Sequence, residues 1–507
     1  MKFSWKIFFA AAVAFFAFFP LTDTDIWWHL ASARDFLKNG LAKTDPFCWT
    51  PSKTPWINVH LFFQLVAFGI FSKWGALGLV VSKSFLWGFV AFLWVLPIKR
   101  RVNFLEFSLM LSFAFLFRYA FECRPVLMSL LFLGIFWNLL PLLKGKFSAT
   151  WLLASGTLLC VEWVWTRSQG LFPLGFAISF LAVAFFWRRI SFAGKIRCAG
   201  FLALLVSVPL LHHQGVLLWK YPFGLLDRLV GGSASSQIFA QEIAENRAPT
   251  TLLIQGENVT AMLALIVAVV IAAAVLLRHR RITTRFRSAY LVVAAFLAVS
   301  AERNAVLFFF PFAAVVFSRP VFSLFLRRLS LRYFAISKRK FLSAAQMVSV
   351  LIFAFVLGMA FRNISAFFAD GRFVPVSAER VPEQALIYLK TNPLLNDVRL
   401  FNDDRSGGYL EWNFPEEKTF ADGRFILKDS LFMATYLGYA KEPETFLRSA
   451  DSLQIGRALL PISSIALWKN LALALDSHPA WRIAYADSFY VVFDKNSLDS
   501  TAKSPRK

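Results

Sequence analysis

Apolar runs long enough, or nearly long enough, to cross a bilayer recur through about the first 360 residues of this chain. The short segments between them carry Lys and Arg without Asp or Glu on every second side. A spanning helix needs roughly 20 apolar residues to cross ~30 Å of hydrocarbon. The chain is 58% hydrophobic, against roughly 45–50% for a soluble domain. These features define a polytopic α-helical membrane protein. Residues 362–507 have ordinary globular composition and form a separate domain.

The net charge of +24 raises the possibility of a nucleic-acid partner, and its distribution argues against one. Lys2, Lys6 and the segments 99–101, 144–146, 188–197, 278–287 and 319–340 hold 23 of the 54 basic residues and no acid, leaving 31 basic against 30 acidic elsewhere. The excess thus lies in loops between apolar helices, as the positive-inside rule requires, where it can meet anionic lipid. Four scattered cysteines, Cys48, Cys123, Cys160 and Cys198, show neither metal spacing nor a disulfide framework. Lys2 and Lys6 precede an apolar run without a small-residue cleavage site, so the first helix reads as uncleaved.

Candidate spans are 5–22, 75–97, 103–120, 125–143, 149–166, 170–187, 198–211, 258–277, 287–301, 304–319 and 341–361, about eleven in all. Starting inside at Lys2, this count places every basic loop inside and the C-terminal domain outside. Segment 58–71 is short for a span, and if it crossed it would invert Lys99-Arg100-Arg101; it reads as a surface helix. Residues 26–38 read likewise, with Ile26, Trp27, Leu30, Ala33, Phe36 and Leu37 on one face. The expected domains are therefore 1–361, with exterior loops 23–74 and 212–257, and an exterior α/β domain, 362–507. In a bacterium the protein would sit in the inner (cytoplasmic) membrane, N-terminus cytoplasmic and C-terminal domain periplasmic.

This topology gathers Asp23, Asp25, His29, His60, Arg118, Glu122, Arg124, Arg167, His212, His213, Glu302 and Arg303 at outer helix ends. Snorkelling and helix-end pairing account for single cases, such as Glu122 with Arg118 or Arg124. The whole set points to an outward-facing polar cavity, because charge within a membrane is costly. Arginines suit a phosphate-bearing lipid. Asp25 can act as general base towards a hydroxyl, and Asp23 with Asp25 can help hold a divalent cation such as Mg2+ or Mn2+. His29 can act as a base or hydrogen-bond at headgroup level. A cytosolic nucleotide-bound donor would need a cytosolic domain, and the chain shows none.

The run Asp23-Thr24-Asp25-Ile26-Trp27-Trp28-His29-Leu30, Asp45-Pro46-Phe47, Pro55-Trp56, Arg124-Pro125, Arg303-Asn304, Asn402-Asp403, Gly407-Gly408-Tyr409-Leu410 and Asp422-Gly423-Arg424 together resemble a bacterial branch of the GT-C superfamily. That superfamily comprises integral membrane glycosyltransferases, among them protein O-mannosyltransferases and aminoarabinose transferases. The resemblance covers almost the full length. It implies a polyprenyl-phosphate-linked sugar donor and a catalytic acid in the first exterior loop. The chain departs from the branch at Trp165-Thr-Arg-Ser-Gln-Gly170, His212-His213-Gln214-Gly215 and Glu245-Asn246, where that branch has Trp-x-Asn-x-His-Gly, Asn-Pro-x-Gly and an acidic-Trp pair.

In the exterior domain the pattern predicts helices at 382–391, 429–440, 443–450 and 464–475 and strands at 398–402, 418–421 and 457–461. A hairpin of 481–485 with 489–494 closes it, and Gly407-Gly408 and Asp422-Gly423 read as turns. Asn402, Asp403, Asp422 and Arg424 are candidates to bind acceptor, or else simply shape turns. The expected activity is transfer of a lipid-linked sugar to an unknown acceptor at the outer face. Asp25, Asp23 and His29 are the catalytic candidates. Arg124, Arg303, Arg167, Arg118, His60 and His213 are the lipid-phosphate candidates. Asp25, Arg124 and Arg303 are expected to share one pocket. A transporter or flippase of lipid-linked saccharide, and an inactive membrane scaffold, are the alternatives.

Overall fold

The computed structural model describes residues 4–278, 285–318, 338–369, 371–394, 397–462 and 466–496. Most of the basic stretches 278–287 and 319–340, and the tail from Ser497, lie outside the described residues. The chain divides into two compact units: residues 1–19, 77–232 and 240–374, and residues 20–76, 233–239 and 375–507.

The first unit is helical. It contains α1 (Ser4–Phe16), most of α3 (Leu61–Val95), α4 (Phe104–Leu116), α5 (Val126–Leu139), α6 (Ala149–Trp165), α7 (Pro173–Phe186), α8 (Phe192–Ser207) and α9 (Gly215–Val230). It continues with the end of α10 (Ala234–Glu242), α11 (Pro249–Gln255), α12 (Val259–Arg278), α13 (Arg285–Ser300), α14 (Ala305–Val316) and α15 (Lys338–Ser365). Side-chain caps start several of these helices. Asn103 and Glu106 form a reciprocal capping box on α4, and Ser148 and Ser191 cap α6 and α8. Arg100 pairs with Glu106 at 2.8 Å, joining that cap to the basic 99–101 stretch.

Among the described residues, five helical runs are long and apolar enough to cross a membrane: Leu61–Val95, Val126–Lys144, Phe192–Leu211, Val259–Leu277 and Gln346–Ser365. Four apolar helices of 10–17 residues accompany them, Ser4–Phe16, Phe104–Leu116, Ala149–Trp165 and Phe286–Ser300. The segment expected at 304–319 behaves differently: every residue of α14 from Ala305 to Val316 is buried. Its 12 residues span only about 18 Å at 1.5 Å per residue. Phe309 and Phe310 stack on Phe117, Phe121, Trp87 and Trp94, so α14 forms the aromatic centre of this unit. The expected break between a surface helix at 58–71 and a span from 75 appears as a kink inside α3, where Gly75 takes φ +61°. Glycine alone adopts that conformation at no steric cost.

The second unit carries a four-stranded mixed sheet in the order β3-β4-β6-β5, after a two-residue pair β1 (Phe368–Ala369) and β2 (Arg372–Phe373) in the first unit. Here β3 (Arg399–Asn402) runs parallel to β4 (Ile455–Pro461), and β6 (Tyr490–Lys495) pairs antiparallel with both β4 and β5 (Trp481–Ala486). The predicted hairpin is present as β5–β6. Helices α16 (Glu383–Thr391), α17 (Asp404–Asn413), α18 (Ser430–Lys441), α19 (Pro443–Ser452) and α20 (Lys469–Ser477) complete it. Phe401 of β3 is the hub of the core, touching Phe420, Tyr439, Phe446 and Trp468. Across β4 and β6, buried Arg457 and Asp494 form a two-point ion pair at 2.6 and 2.9 Å.

Two sequence readings of this unit are corrected. Gly407 and Gly408 lie inside α17, not in a turn. Their missing side chains allow close backbone approach: a Cβ at 408 would lie 2.9 Å from the Trp28 nitrogen, and one at 407 would strike the Ala421 carbonyl. Residues 418–421 form no strand; Thr419 makes an isolated parallel bridge with Cys48 instead.

The loop after the first helix, grouped above with the membrane helices, packs here with the C-terminal residues. It does so through backbone pairing across roughly 370 positions: Trp49 N donates to Thr419 O at 2.9 Å and Thr419 N to Phe47 O at 3.2 Å. The Thr50 hydroxyl donates to Phe420 O at 2.6 Å, and the Arg34 guanidinium to the carbonyls of Glu411 and Trp412 at 2.6 and 2.7 Å.

Candidate active site

Asp25 opens α2 (Asp25–Asn39), and Asp23 lies just before it. The Asp25 amide donates to Asp23 Oδ1 at 3.3 Å, so the buried first acid ties down the backbone of the second. An acid at a helix N-terminus is stabilised as the carboxylate by the unpaired amides there. One turn on, Trp28 and His29 project from the same side of α2 as Asp25. Their ring centroids lie 3.6 Å apart with the planes tilted by 36°, and His60 approaches the His29 ring at 5.2 Å. His29 is buried, and its Nδ1 lies 3.3 Å from Gln64 Nε2, which reaches across from α3. Gln64 is itself held by Asn58 at 2.8 Å.

The Asp25 carboxylate rests on Gly423: a Cβ at 423 would collide with Asp25 Oδ1 and lie 3.6 Å from Trp28 Nε1. The flanking Asp422 and Arg424 are buried. Arg424 pairs with Asp422 and, at 2.8 Å, with Asp45, and its Nη2 lies 3.7 Å from Glu411. Phe47, Trp56 and Trp28 surround the guanidinium at 4.9, 5.0 and 5.7 Å. Lys428 adds a second cation 3.7 Å from Asp45 and donates to the Thr50 hydroxyl at 2.8 Å. The motif residues Asp45-Pro46-Phe47, Pro55-Trp56 and Asp422-Gly423-Arg424 thus meet around one buried guanidinium.

Charge in this cluster balances internally. Burial opposes ionisation of Asp422, yet the Arg424 guanidinium holds its carboxyl below the ordinary value. Burial, with Asp422 beside it, pushes Glu411 well above. Burial likewise opposes the Arg424 charge, and Asp422, Asp45 and Glu411 overcome it and hold that group well above its ordinary value. Arg424 and Lys428 thus face Asp45 and Asp422, with Glu411 beside them.

The one grouping of three potential metal ligands among the described residues is Asp45, Cys48 and Asp422, with ligand atoms within 4.8 Å of one another. It includes neither Asp23 nor Asp25. Its donors fit a hard cation such as Mg2+ or Mn2+ poorly, because a thiol suits softer ions. Arg424 Nη2 already bridges Asp45 Oδ1 and Asp422 Oδ2, where a cation would be drawn. Burial, then Asp422 and Asp45, pushes the Cys48 thiol well above its ordinary value, which opposes the thiolate that metal binding requires.

The remaining C-terminal-domain candidates are internal. Asn402 bonds the carbonyls of Asp403 and Ala421 and accepts from the Phe420 amide at 2.7 Å, fixing the strand end against 420–421. Asp403 caps α17 through Ser406, and the Tyr436 hydroxyl donates to Asp404 at 2.7 Å. Burial, then Asp404 beside it, raises Asp403 to about 7. Asn402, Asp403, Asp422 and Arg424 are all at most 3% exposed, so they shape the domain rather than present a surface to an acceptor.

In the helical unit, Arg124 and Arg303 share one partner. Arg124 Nη1 lies 2.6 Å from Glu245 Oε1, and Arg303 Nη2 lies 3.1 Å from Glu245 Oε2. Arg124 precedes Pro125 at the start of α5; Arg303 lies in the turn before α14. Burial resists ionisation of Glu245, yet the two guanidiniums hold it down to about 2. In the pair Glu245-Asn246 the departure from the acidic-Trp pattern is Asn246, and the sequence assigns Glu245 no role. Arg118 instead donates to the Phe115 carbonyl and lies over the Phe115 ring. Arg167 bonds the carbonyls of Trp163 and Leu211 at 3.0 and 2.9 Å, closing helix ends. Exposed His213 lies against buried His212, ring centroids 4.0 Å apart and tilted by 36°. Burial, with His213 and Arg167 nearby, lowers His212 to about 4. Glu122 pairs with buried Lys83 of α3 at 3.7 Å, a partner the sequence did not suggest.

No family model matches the chain, and no curated protein matches its sequence. Solved structures do match its fold. The archaeal oligosaccharyltransferase AglB from Archaeoglobus fulgidus, in complex with an inhibitory peptide and a dolichol-phosphate, superposes with a TM-score of 0.51 at 11% identity, over 90% of this chain and 69% of that one. The apo form of the Archaeoglobus fulgidus enzyme gives 0.50 at 12% identity over 97% and 74%, and its complex with Zn and sulfate 0.51 at 11% over 97% and 73%. Identity this low speaks to fold alone. The fold matched is that of an archaeal oligosaccharyltransferase.

Proposed function

We propose that the protein is a membrane glycosyltransferase that takes a sugar from a polyprenyl-phosphate-linked donor at the outer face of a bacterial cytoplasmic membrane. The observation that carries this reading is Asp25, a carboxylate at a helix N-terminus seated on the Gly423 backbone, within a fold shared with an oligosaccharyltransferase. In the proposed topology the N-terminus is cytoplasmic, about eleven segments cross, with the short, buried α14 counted among them at the centre of the bundle, and the C-terminal domain is periplasmic.

In the proposed reaction Asp25 takes the proton of an acceptor hydroxyl as the acceptor oxygen bonds to the anomeric carbon. The bond from that carbon to the phosphate oxygen breaks, and the lipid phosphate leaves with the electron pair. Arg124 and Arg303 neutralise the charge that grows on it, where electrostatic stabilisation counts most. Asp23 positions the Asp25 backbone, and His29, packed against Trp28, fixes the first turn of α2. No step is routed through a metal, since the Asp45–Cys48–Asp422 group already carries its own cation.

The test is transfer of radiolabelled sugar from a polyprenyl-phosphate donor to acceptor in membranes containing the full chain. Positioned acid–base groups contribute roughly 10²–10⁴-fold. Asp25→Asn should lower transfer by that order while the protein stays monodisperse. A fully active Asp25→Asn protein would remove Asp25 from the reaction. Donor that crosses the bilayer with no label reaching acceptor would instead favour a flippase.

A further inference from the structure

The two arginines assigned to the donor phosphate close on the two oxygens of a single carboxylate, that of Glu245. The three groups differ in how they are mounted. Arg124 abuts Pro125 at the head of α5, a helix with nine buried residues. Arg303 sits at the head of α14, where every residue is buried. Both cations therefore stand on the rigid centre of the helical unit.

Glu245 stands on a three-residue turn, Ala244–Asn246, between α10 and α11, with extended backbone at Ile243 and Arg247 on either side. The turn is anchored beside it: the Glu302 amide donates to the Arg247 carbonyl at 3.0 Å, and the Arg247 Nε to the Gln241 carbonyl at 2.6 Å. Asn246 is buried. The glutamate can leave the arginines by rotation about its own side-chain torsions, with the turn in place. Its side chain is 36% exposed, and those of Arg124 and Arg303 are 30% and 42% exposed, so the pair is reachable from solvent.

The forks of arginine that hold carboxylate oxygens hold phosphate oxygens equally well. A carboxylate bridging two guanidiniums occupies the position a phosphoryl group would take, and offers one negative charge, as the phosphodiester of a sugar donor does, where the phosphate monoester released by transfer offers up to two. We propose that Glu245 is a built-in competitor for the phosphate site: its carboxylate closes the arginine pair at rest, and a lipid phosphate engages by displacing it. The inference rests on the reading of Arg124 and Arg303 as the phosphate-holding pair. It adds a regulatory function, since entry of the donor requires the glutamate to yield and phosphate-free lipids leave the pair closed.

The experiment measures binding of farnesyl phosphate, and separately of inorganic phosphate, to the full chain in nanodiscs of phosphatidylcholine. Wild type, Glu245→Gln, Glu245→Asp and Arg124→Gln are compared, each with its thermal transition recorded. Removing the competitor should tighten farnesyl phosphate binding about tenfold or more in Glu245→Gln. Glu245→Asp, too short to bridge both guanidiniums, should fall between it and wild type, and carries the test if the Gln variant fails to fold. Tightening of inorganic phosphate as well assigns the gain to the phosphoryl group; tightening of farnesyl phosphate alone assigns it to the lipid-borne form; either supports the proposal. Unchanged or weaker binding in the Glu245 variants, with binding lost in Arg124→Gln, overturns the competitor role and leaves the arginine site standing. Absence of binding in every protein, or binding that Arg124→Gln leaves intact, overturns both.

Discussion

The carboxylate of Asp25 lies directly on the backbone of Gly423, nearly 400 positions further along the chain, with no room between them for a single methyl group. A glycine here serves close approach, and the positions on either side of it are immobilised by the ion pairs of Asp422 and Arg424. The candidate acid is therefore placed by a loop that contributes no reacting group of its own.

Gly423→Ala should move the Asp25 carboxylate or push the 422–424 loop outward. Overpacking of this kind costs about 1–3 kcal/mol, and misplacement by about 1 Å can lower a rate about 10²-fold. Turnover should fall by that order with KM little changed, as measured by label transfer alongside a thermal unfolding curve. Wild-type turnover in a folded Gly423→Ala protein would show that Gly423 does not position Asp25.

Gly408 performs the same service for α17, whose backbone meets the first turn of α2 at Trp28 and Thr24. A valine at 408 should separate the two helices and lower the thermal transition of the C-terminal unit, again by an amount of about 1–3 kcal/mol. Limited proteolysis should then reach the 23–60 loop, which the wild type protects. Unchanged protection would argue that the loop is held by its other hydrogen bonds alone.

Arg424→Met should be more damaging than either. Removing one partner from a buried ion network leaves uncompensated charge and costs about 3–5 kcal/mol, and Arg424 faces Asp45 and Asp422 with 3% of its surface exposed. Chemical denaturation should show that loss, and pairing the change with Asp422→Asn should recover part of it. A stable single variant would mean that Lys428 suffices to balance the cluster.

Asp403 supplies a dependence on pH. Its pKa, raised to about 7 by burial and by Asp404, means that the folded domain holds a proton that the unfolded chain releases near its ordinary value of 3.8. This contribution to stability is present below about pH 4 and fades as pH rises to about 7, at most about 1.4 kcal/mol per pH unit. Asp403→Asn keeps the helix cap and removes the titration. Its transition temperature should exceed that of wild type at pH 7, with the gap shrinking towards pH 4. A constant gap across that range would dismiss Asp403 as the titrating group.

The sequence-based expectations held where they depended on near neighbours. The apolar runs became helices, the alternation over 481–494 became the β5–β6 hairpin, and the positive φ of Gly75 fell where the surface helix at 58–71 was separated from the following span. They differed where distance in sequence mattered. Gly407-Gly408 has the composition of a turn and sits in a helix, because another backbone passes against it. Asp422 and Arg424 were candidates for an acceptor surface and are buried, because Asp45, Phe47 and Trp56 of the first loop enclose them. Arg124 and Arg303 share a role on sequence grounds, whereas Glu245, the residue that joins them, fits only the acidic position of the acidic-Trp pattern at 245–246.

Residue order alone determined that this chain is an apolar helical protein with a mixed α/β C-terminal part, and that the acids after the first helix merit chemical attention. Hydropathy and periodicity are properties of adjacent residues, so they survive without coordinates. Tertiary structure decided that the loop at 20–76 and the residues from 375 onward form one body, that a guanidinium rather than an open cation site fills the Asp45–Asp422 cluster, and that Glu245 closes the arginine pair. Those outcomes depend on which distant segments can approach to hydrogen-bonding distance, and that is set by the absence of side chains at Gly407, Gly408 and Gly423 and by charge balance among residues that no local pattern connects.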